Sequence, residues 1–386
     1  MDLPPDLWYK KHHVLPGGFI PGPGKPKNLD SFLFPGLYHI SALQQEGLRV
    51  FDVGMHQVIQ KRILISMACA DALGMAQASG YAGHNSAKGC RRTCKFPGHR
   101  EPGKGTYYPL CKKPGEGYNV KGSDHGNLSL CTWPVEFSQA RYNKDIQDLL
   151  QTRTVAQYTA LCKLNGIVKP TIFSGVQTAF GVPGIFPLDL MHLIGLNFPM
   201  LWLDLIWGTI PVQTGDNHNS WTWAVLMDDD VWEAHGAQVA TFWKYLSSEY
   251  DQPPQNPAEK LSSGYKAAEY LTYIYEFLPI LLHNVLPEPY LDNFYWLVRA
   301  VQIFCQWLIT QKEIEEGCEL IITFLEGFED LYVQRKPTCI HFVCQCLHTL
   351  WHLAHETTTL GTSMLLCPVG YGALDWLSRA RHTASL

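Results

Sequence analysis

The sequence predicts an α/β (α+β) chain in which a few early strands precede a loop-rich insertion and a large, mostly helical C-terminal portion. Three observations carry this. Strand-like apolar runs are confined to residues 48–70; residues 72–124 are rich in Gly, Lys, Arg, Cys and Pro with little periodicity; and beyond Ser138 apolar residues recur at helical spacing. At 386 residues, with 46% hydrophobic, 12% aromatic and 17% charged residues, the chain can bury at least one large core.

Residues 1–28 are turn-rich, with Pro4-Pro5, Pro16-Gly17-Gly18 and Pro21-Gly22-Pro23-Gly24, and Leu29–Gln45 then has the spacing of a helix. Two strand-like runs follow, Leu48–Val53 and Ile63–Ala70, the second nearly unbroken and ending directly in Asp71. The segment after it lacks the periodicity of a packed element and calls for a local staple such as Zn2+. Helices are expected over Asp145–Asn165, Leu188–Trp207, Val231–Ser248, Tyr265–His283, Tyr290–Thr310, Lys312–Tyr332 and Cys339–Glu356, separated by Pro- and Gly-bearing connections. The expected division is 1–75, 76–137 for the Cys/Gly-rich insertion, 138–260 and 261–364 for two helical parts, and 365–386 for a tail.

The first residues show no charged-then-apolar signal pattern, which argues against secretion. The most apolar window, Leu193–Ile210, holds Asn197, Pro199 and Asp204, so it reads as a buried core helix rather than a membrane span. Twelve cysteines in a long chain argue for reduced thiols, some of them on metal, rather than a disulfide framework. The formal net charge of −5 supplies no overall attraction for a phosphate backbone, so any nucleic-acid contact relies on local patches.

Four places could carry chemistry. Asp71, at the end of an apolar run, is where two-metal nucleases place a ligand for a hard divalent ion; the competing reading is a turn or cap aspartate before Gly74. Cys90 and Cys94 lie in a basic segment with His99 close by and Cys111 shortly after, which is half a zinc site or a pair of free thiols in a loop. Asp189 and His192, at i and i+3, can reach one metal or each other; otherwise they are an N-cap aspartate and a core histidine beside Leu193 and Leu196. Glu269, within Tyr265–Tyr270, is a metal ligand or sits on a solvated helix edge. His348, Trp351 and His352 read as core or helix-surface residues and receive no role.

Taken together, Asp71, the Gly80–Cys94 segment, Lys169-Pro170, Pro183-Gly184, Pro187-Leu188-Asp189-Leu190-Met191-His192 and Ser263-Gly264-Tyr265-Lys266-Ala267-Ala268-Glu269 resemble the CACTA (En/Spm-type) DNA transposases. The branch common in mushroom-forming fungi is the most similar. The likeness runs from about Leu3 to Gly361 and takes in Ile20–Asp30, which resembles the linker before the second catalytic strand.

The resemblance implies an RNase H-like fold whose three acids hold two divalent metals, Mg2+ or Mn2+, for DNA cleavage and strand transfer. Mapped by motif, Asp71 is the second acid, Cys90 and Cys94 the family's cysteine pair, Asp189 and His192 its Asp-x-x-His motif, and Glu269 the third acid. The first acid lies on a strand upstream of the Leu-Pro-Pro that begins at Leu3, so the core is expected to be incomplete and inactive alone. The family continues after a segment like Ala354-His355-Glu356 with Gln-Trp-x-Met-Glu-Arg-x-Ile-Gly. Codons after Met364, read one nucleotide later, can yield such a stretch, so residues 365–386 are expected to be an out-of-frame tail.

The function this implies is a remnant of a two-metal DDE-type nuclease, with Asp71 and Glu269 as Mg2+ or Mn2+ ligands and Cys90, Cys94 and His192 as structural Zn2+ ligands. DNA at transposon ends is the implied partner, a homo-oligomer the implied assembly and the nucleus the implied location, with no membrane contact. A rival is a non-enzymatic, domesticated zinc-stabilised module that binds DNA or protein. A third reading, a metal hydrolase built on Asp189, His192 and His84, needs a pocket uniting them.

Overall fold

The computed structural model describes residues 11–361, apart from 21, 25, 91, 93, 95, 109–111, 133–137, 247–252 and 307. The tail expected at 365–386 and Cys111 lie outside the described residues. The chain is a largely helical α+β protein with few strands. It divides into two compact units: residues up to Pro97 with those from Pro134 to Leu188, and Gly98–Trp133 with the chain from Asp189 onward. The boundary at 97/98 thus falls within the insertion expected over 76–137.

In the first unit, α1 (Asp30–Glu46) turns Leu33, Leu37 and Ile40 toward the core, a spacing of four and three residues that aligns them on one helical face. Its other face carries exposed Phe32, Phe34 and Tyr38. A hairpin follows, β1 (Leu48–Asp52) against β2 (Gln57–Lys61), in antiparallel register from Leu48↔Lys61 to Asp52↔Gln57. The Asp52 carboxylate accepts from Met55 N at 3.0 Å and so closes the turn, and His56 takes the left-handed conformation there, with φ +48°. This second strand was not expected from the sequence.

The strand expected over Ile63–Ala70 is instead an extended segment held at single points. Ile65 bridges Thr178 in parallel, and Ala68 N donates to Ile185 O at 2.8 Å. Leu64, Ser66 and Cys69 are exposed, so the unbroken apolar run does not mark a strand buried on both faces. Helix α2 (Ala72–Ser79) ends at Gly80, whose φ of +74° and 2.2 Å approach of a notional Cβ to Lys169 O leave no room for a side chain.

The helix expected over Asp145–Asn165 is two, α3 (Gln139–Leu150) and α4 (Val155–Asn165). Thr154 leaves the helical conformation and its hydroxyl accepts from Gln157 N, capping α4 and breaking the run. Met75, Tyr81, Tyr142, Leu149, Ile167 and Phe173 are among the buried residues that form this unit's core.

The second unit begins with a loop region, 98–132, organised by polar contacts rather than by regular structure. His99 and Tyr107 exchange both backbone hydrogen bonds, and Arg100 N donates to Gly122 O at 2.8 Å. Fully buried Ser123 hydrogen-bonds the hydroxyls of both Tyr107 and Tyr118. Tyr118 also bonds the Glu101 carboxylate, and His125 Nε2 lies 3.1 Å from the Tyr107 hydroxyl. Burial pushes the Tyr107 phenol up to about 12, so it stays a neutral hydrogen-bonding group. This network organises a segment for which the sequence suggested only a metal staple.

Helices of the second unit include α5 (Leu190–Trp207), α6 (Asp229–Thr241), α7 (267–281), α8 (Glu288–Phe304), α9 (Gln311–Phe328), α10 (Gln345–Leu350) and α11 (Leu353–Leu360). Helix α5 is long and apolar enough to cross a membrane, but Phe198, Trp202, Leu203, Leu205 and Ile206 are buried in the core of this unit. Trp202 stacks on Phe294 of α8 at 3.9 Å between ring centroids, and Gly195 lets α5 approach Ala267 of α7. Turns of π-helix interrupt α5 at Leu193–Asn197 and α7 at Tyr273–Phe277, and another follows α9 at Glu329–Val333.

Candidate metal centre

Cys90 and Cys94 lie in a loop that follows the turn at Ser86–Gly89, where Gly89 N donates to Ser86 O at 3.1 Å. Both thiols are buried, with 5% exposure each, and Phe96 beside them is fully buried. Burial raises the Cys94 thiol well above its ordinary pKa, and its hydrogen bond with Cys90 adds to the rise. A buried dithiol in such a place resists ionisation unless a cation is supplied, and a metal ion is the usual way to hold two thiolates out of water.

His348 lies in α10, and His352 precedes α11 four residues later. Spacing of i and i+4 puts the two rings on one side of the helical path. Their Nε2 atoms face each other at 3.2 Å, and both residues are buried, at 1% and 0% exposure. Tetrahedral zinc with Zn–N of about 2.0–2.1 Å sets two nitrogens about 3.3–3.4 Å apart, so the histidine pair already has the spacing of one edge of a zinc tetrahedron.

Cys90, Cys94, His348 and His352 are a group of buried side chains that could hold a metal ion. This buried Cys2His2 cluster can bind zinc. Soft thiolates with imidazoles are the donor set zinc prefers over hard-ion sites, and the spacings Cys-x3-Cys and His-x3-His fall within those of structural zinc sites.

The other candidate residues have local partners. Asp71 is the N-cap of α2, its Oδ1 accepting from Gly74 N at 2.6 Å. Asp189 caps the start of α5 by accepting from His192 N, and its Oδ2 lies 2.6 Å from His192 Nδ1. The two residues therefore reach each other.

Glu269 is completely buried in the first turn of α7. Its Oε2 accepts from Lys266 N at 2.9 Å, and its Oε1 accepts from the backbone N and side-chain Nε2 of Gln255 at 3.2 and 3.0 Å. The sequence offered it a solvated edge or a metal; the structure gives it a buried capping position. Among the described residues, no group of three or more ligating side chains within reach of one ion includes Asp71, Asp189, His192, Glu269 or His84.

The group that could hold a metal ion thus includes two histidines to which the sequence reading gave no role. A signal existed in His348-x3-His352 on a helix, but those rings also fit an ordinary core face between Leu347 and Leu353. Asp189 and His192 were the nearer and more obvious partners in sequence. Compared with known proteins, the chain matches no family model, no curated protein and no solved structure.

Proposed function

We propose that the chain is a zinc-stabilised protein derived from a DDE-type transposase catalytic domain and that it acts by binding rather than by cutting. The observation that carries this reading is the buried cluster of Cys90, Cys94, His348 and His352, a closed donor set suited to structural Zn2+. The transposase origin rests on the resemblance of the Asp71, Cys90–Cys94, Asp189–His192 and Glu269 motifs to the CACTA type. In this reading the early hairpin and the extended segment leading to Asp71 are what remains of an RNase H-like core. DNA at transposon ends is the proposed partner and the nucleus the proposed location.

The local roles of Asp71 and Glu269 favour a binding module over a working nuclease. A carboxylate whose oxygens are taken by backbone N–H donors has less lone-pair capacity left for Mg2+ or Mn2+, and Glu269 accepts three hydrogen bonds in a site closed to solvent. The full chain is therefore expected to shift a short DNA duplex at low salt and to leave supercoiled plasmid intact in Mg2+ or Mn2+. Nicking that disappears in Asp71→Ala or Glu269→Ala would overturn the binding-only reading and restore a two-metal nuclease.

A further inference from the structure

We propose that Tyr108 is a positioning residue for the metal centre, holding the His348 imidazole in ligating orientation by ring stacking; this rests on the zinc reading above. Tyr108 is fully buried, and its ring lies nearly parallel to that of His348, at 5.0 Å between centroids and 20° between planes. The His352 ring meets His348 edge-on, at 4.9 Å and 86°. His348 is thereby fixed on one face by Tyr108 while its Nε2 points toward that of His352.

Tyr108 is itself placed by its backbone and by the room left for its ring. Its backbone N donates to Val343 O at 2.9 Å, just after the 3-10 turn Ile340–Phe342 and just before α10. Behind it, Gly98 leaves the space the ring occupies, since a Cβ there would lie 2.9 Å from Tyr108 Cζ. The loop region 98–132 is thus built into the support of a histidine far along the chain. An imidazole left free to rotate about its side-chain torsions must be ordered when metal arrives, and a flat, rigid neighbour removes that cost beforehand. Groups that orient metal-binding histidines typically change affinity by about 10–100-fold.

The test compares the full-length protein with Tyr108→Phe and Tyr108→Leu, using a chromogenic chelator competing for Zn2+ and the visible absorption of the Co2+-loaded protein. Phe keeps the ring and should hold Zn2+ within about threefold of the parent; Leu keeps apolar bulk but loses the flat face, and should weaken Zn2+ by about tenfold or more, with an altered Co2+ spectrum. Equal affinity in the Leu variant, or equal loss in Phe and Leu, overturns the positioning role.

Should the Leu variant fail to fold, the zinc-loaded parent decides by NMR. A histidine ring proton shifted upfield in the parent, and still upfield in Zn2+-loaded Tyr108→Phe, which keeps the ring, supports the stack; no upfield-shifted histidine proton in the parent overturns it. A parent protein that takes up no Zn2+ at all contradicts the metal reading itself and is seen before any variant is compared.

Discussion

A carboxylate removed from water needs donors, and Glu269 finds three of them at the start of α7. Asp71, at the start of α2, has one and remains exposed. The same residue type therefore carries very different energetic weight at the two positions. Glu269→Ala strands buried donors at Lys266 and Gln255 and is expected to cost about 3 kcal/mol in chemical unfolding, because lost hydrogen bonds to a charged group and unsatisfied buried donors each count. Asp71→Asn keeps a capping oxygen and should fall within about 0.5 kcal/mol of the parent. Equal, small effects at both positions would contradict the structural role given to Glu269. The burial of Glu269 was not legible from the sequence, because two of its three donors come from Gln255, 14 residues earlier; at Asp71 the local pattern before Gly74 already contained the cap.

Among the elements, helices were the most legible. The apolar spacing in α1, α5, α7 and α9 reflects faces that are buried in the structure, and the 3.6-residue period survives whatever packs against it. Failures came where a local group outweighs periodicity. Thr154 splits one expected helix into α3 and α4, and the run Ile63–Ala70 stays extended without becoming a strand because only single residues find pairing partners. The β1–β2 hairpin is the least supported element, with Leu48, Val50, Phe51 and Val58 all exposed. A two-stranded hairpin is marginal on its own. Amides of residues 48–61 are therefore expected to exchange with solvent far faster than those of α8 and α9 in native-state hydrogen exchange, and protection equal to α8 would contradict the hairpin as described.

Across the whole chain, the coarse architecture of few early strands and many later helices follows from composition and period, whereas the metal centre does not. Its ligands are separated by most of the sequence, and nothing local to His348 or His352 distinguishes a ligand from a core histidine. Only the fold brings the two ring nitrogens to 3.2 Å. Because thiolates and neutral imidazoles are assembled only in the folded chain, zinc binding should be coupled to folding stability. The most direct measurement is metal analysis of the purified full-length protein beside Cys94→Ala and His352→Ala. One Zn2+ per chain in the parent, lost in both variants together with a lower thermal midpoint, is the predicted result; a parent without zinc, or zinc retained unchanged in His352→Ala, would contradict the Cys2His2 centre.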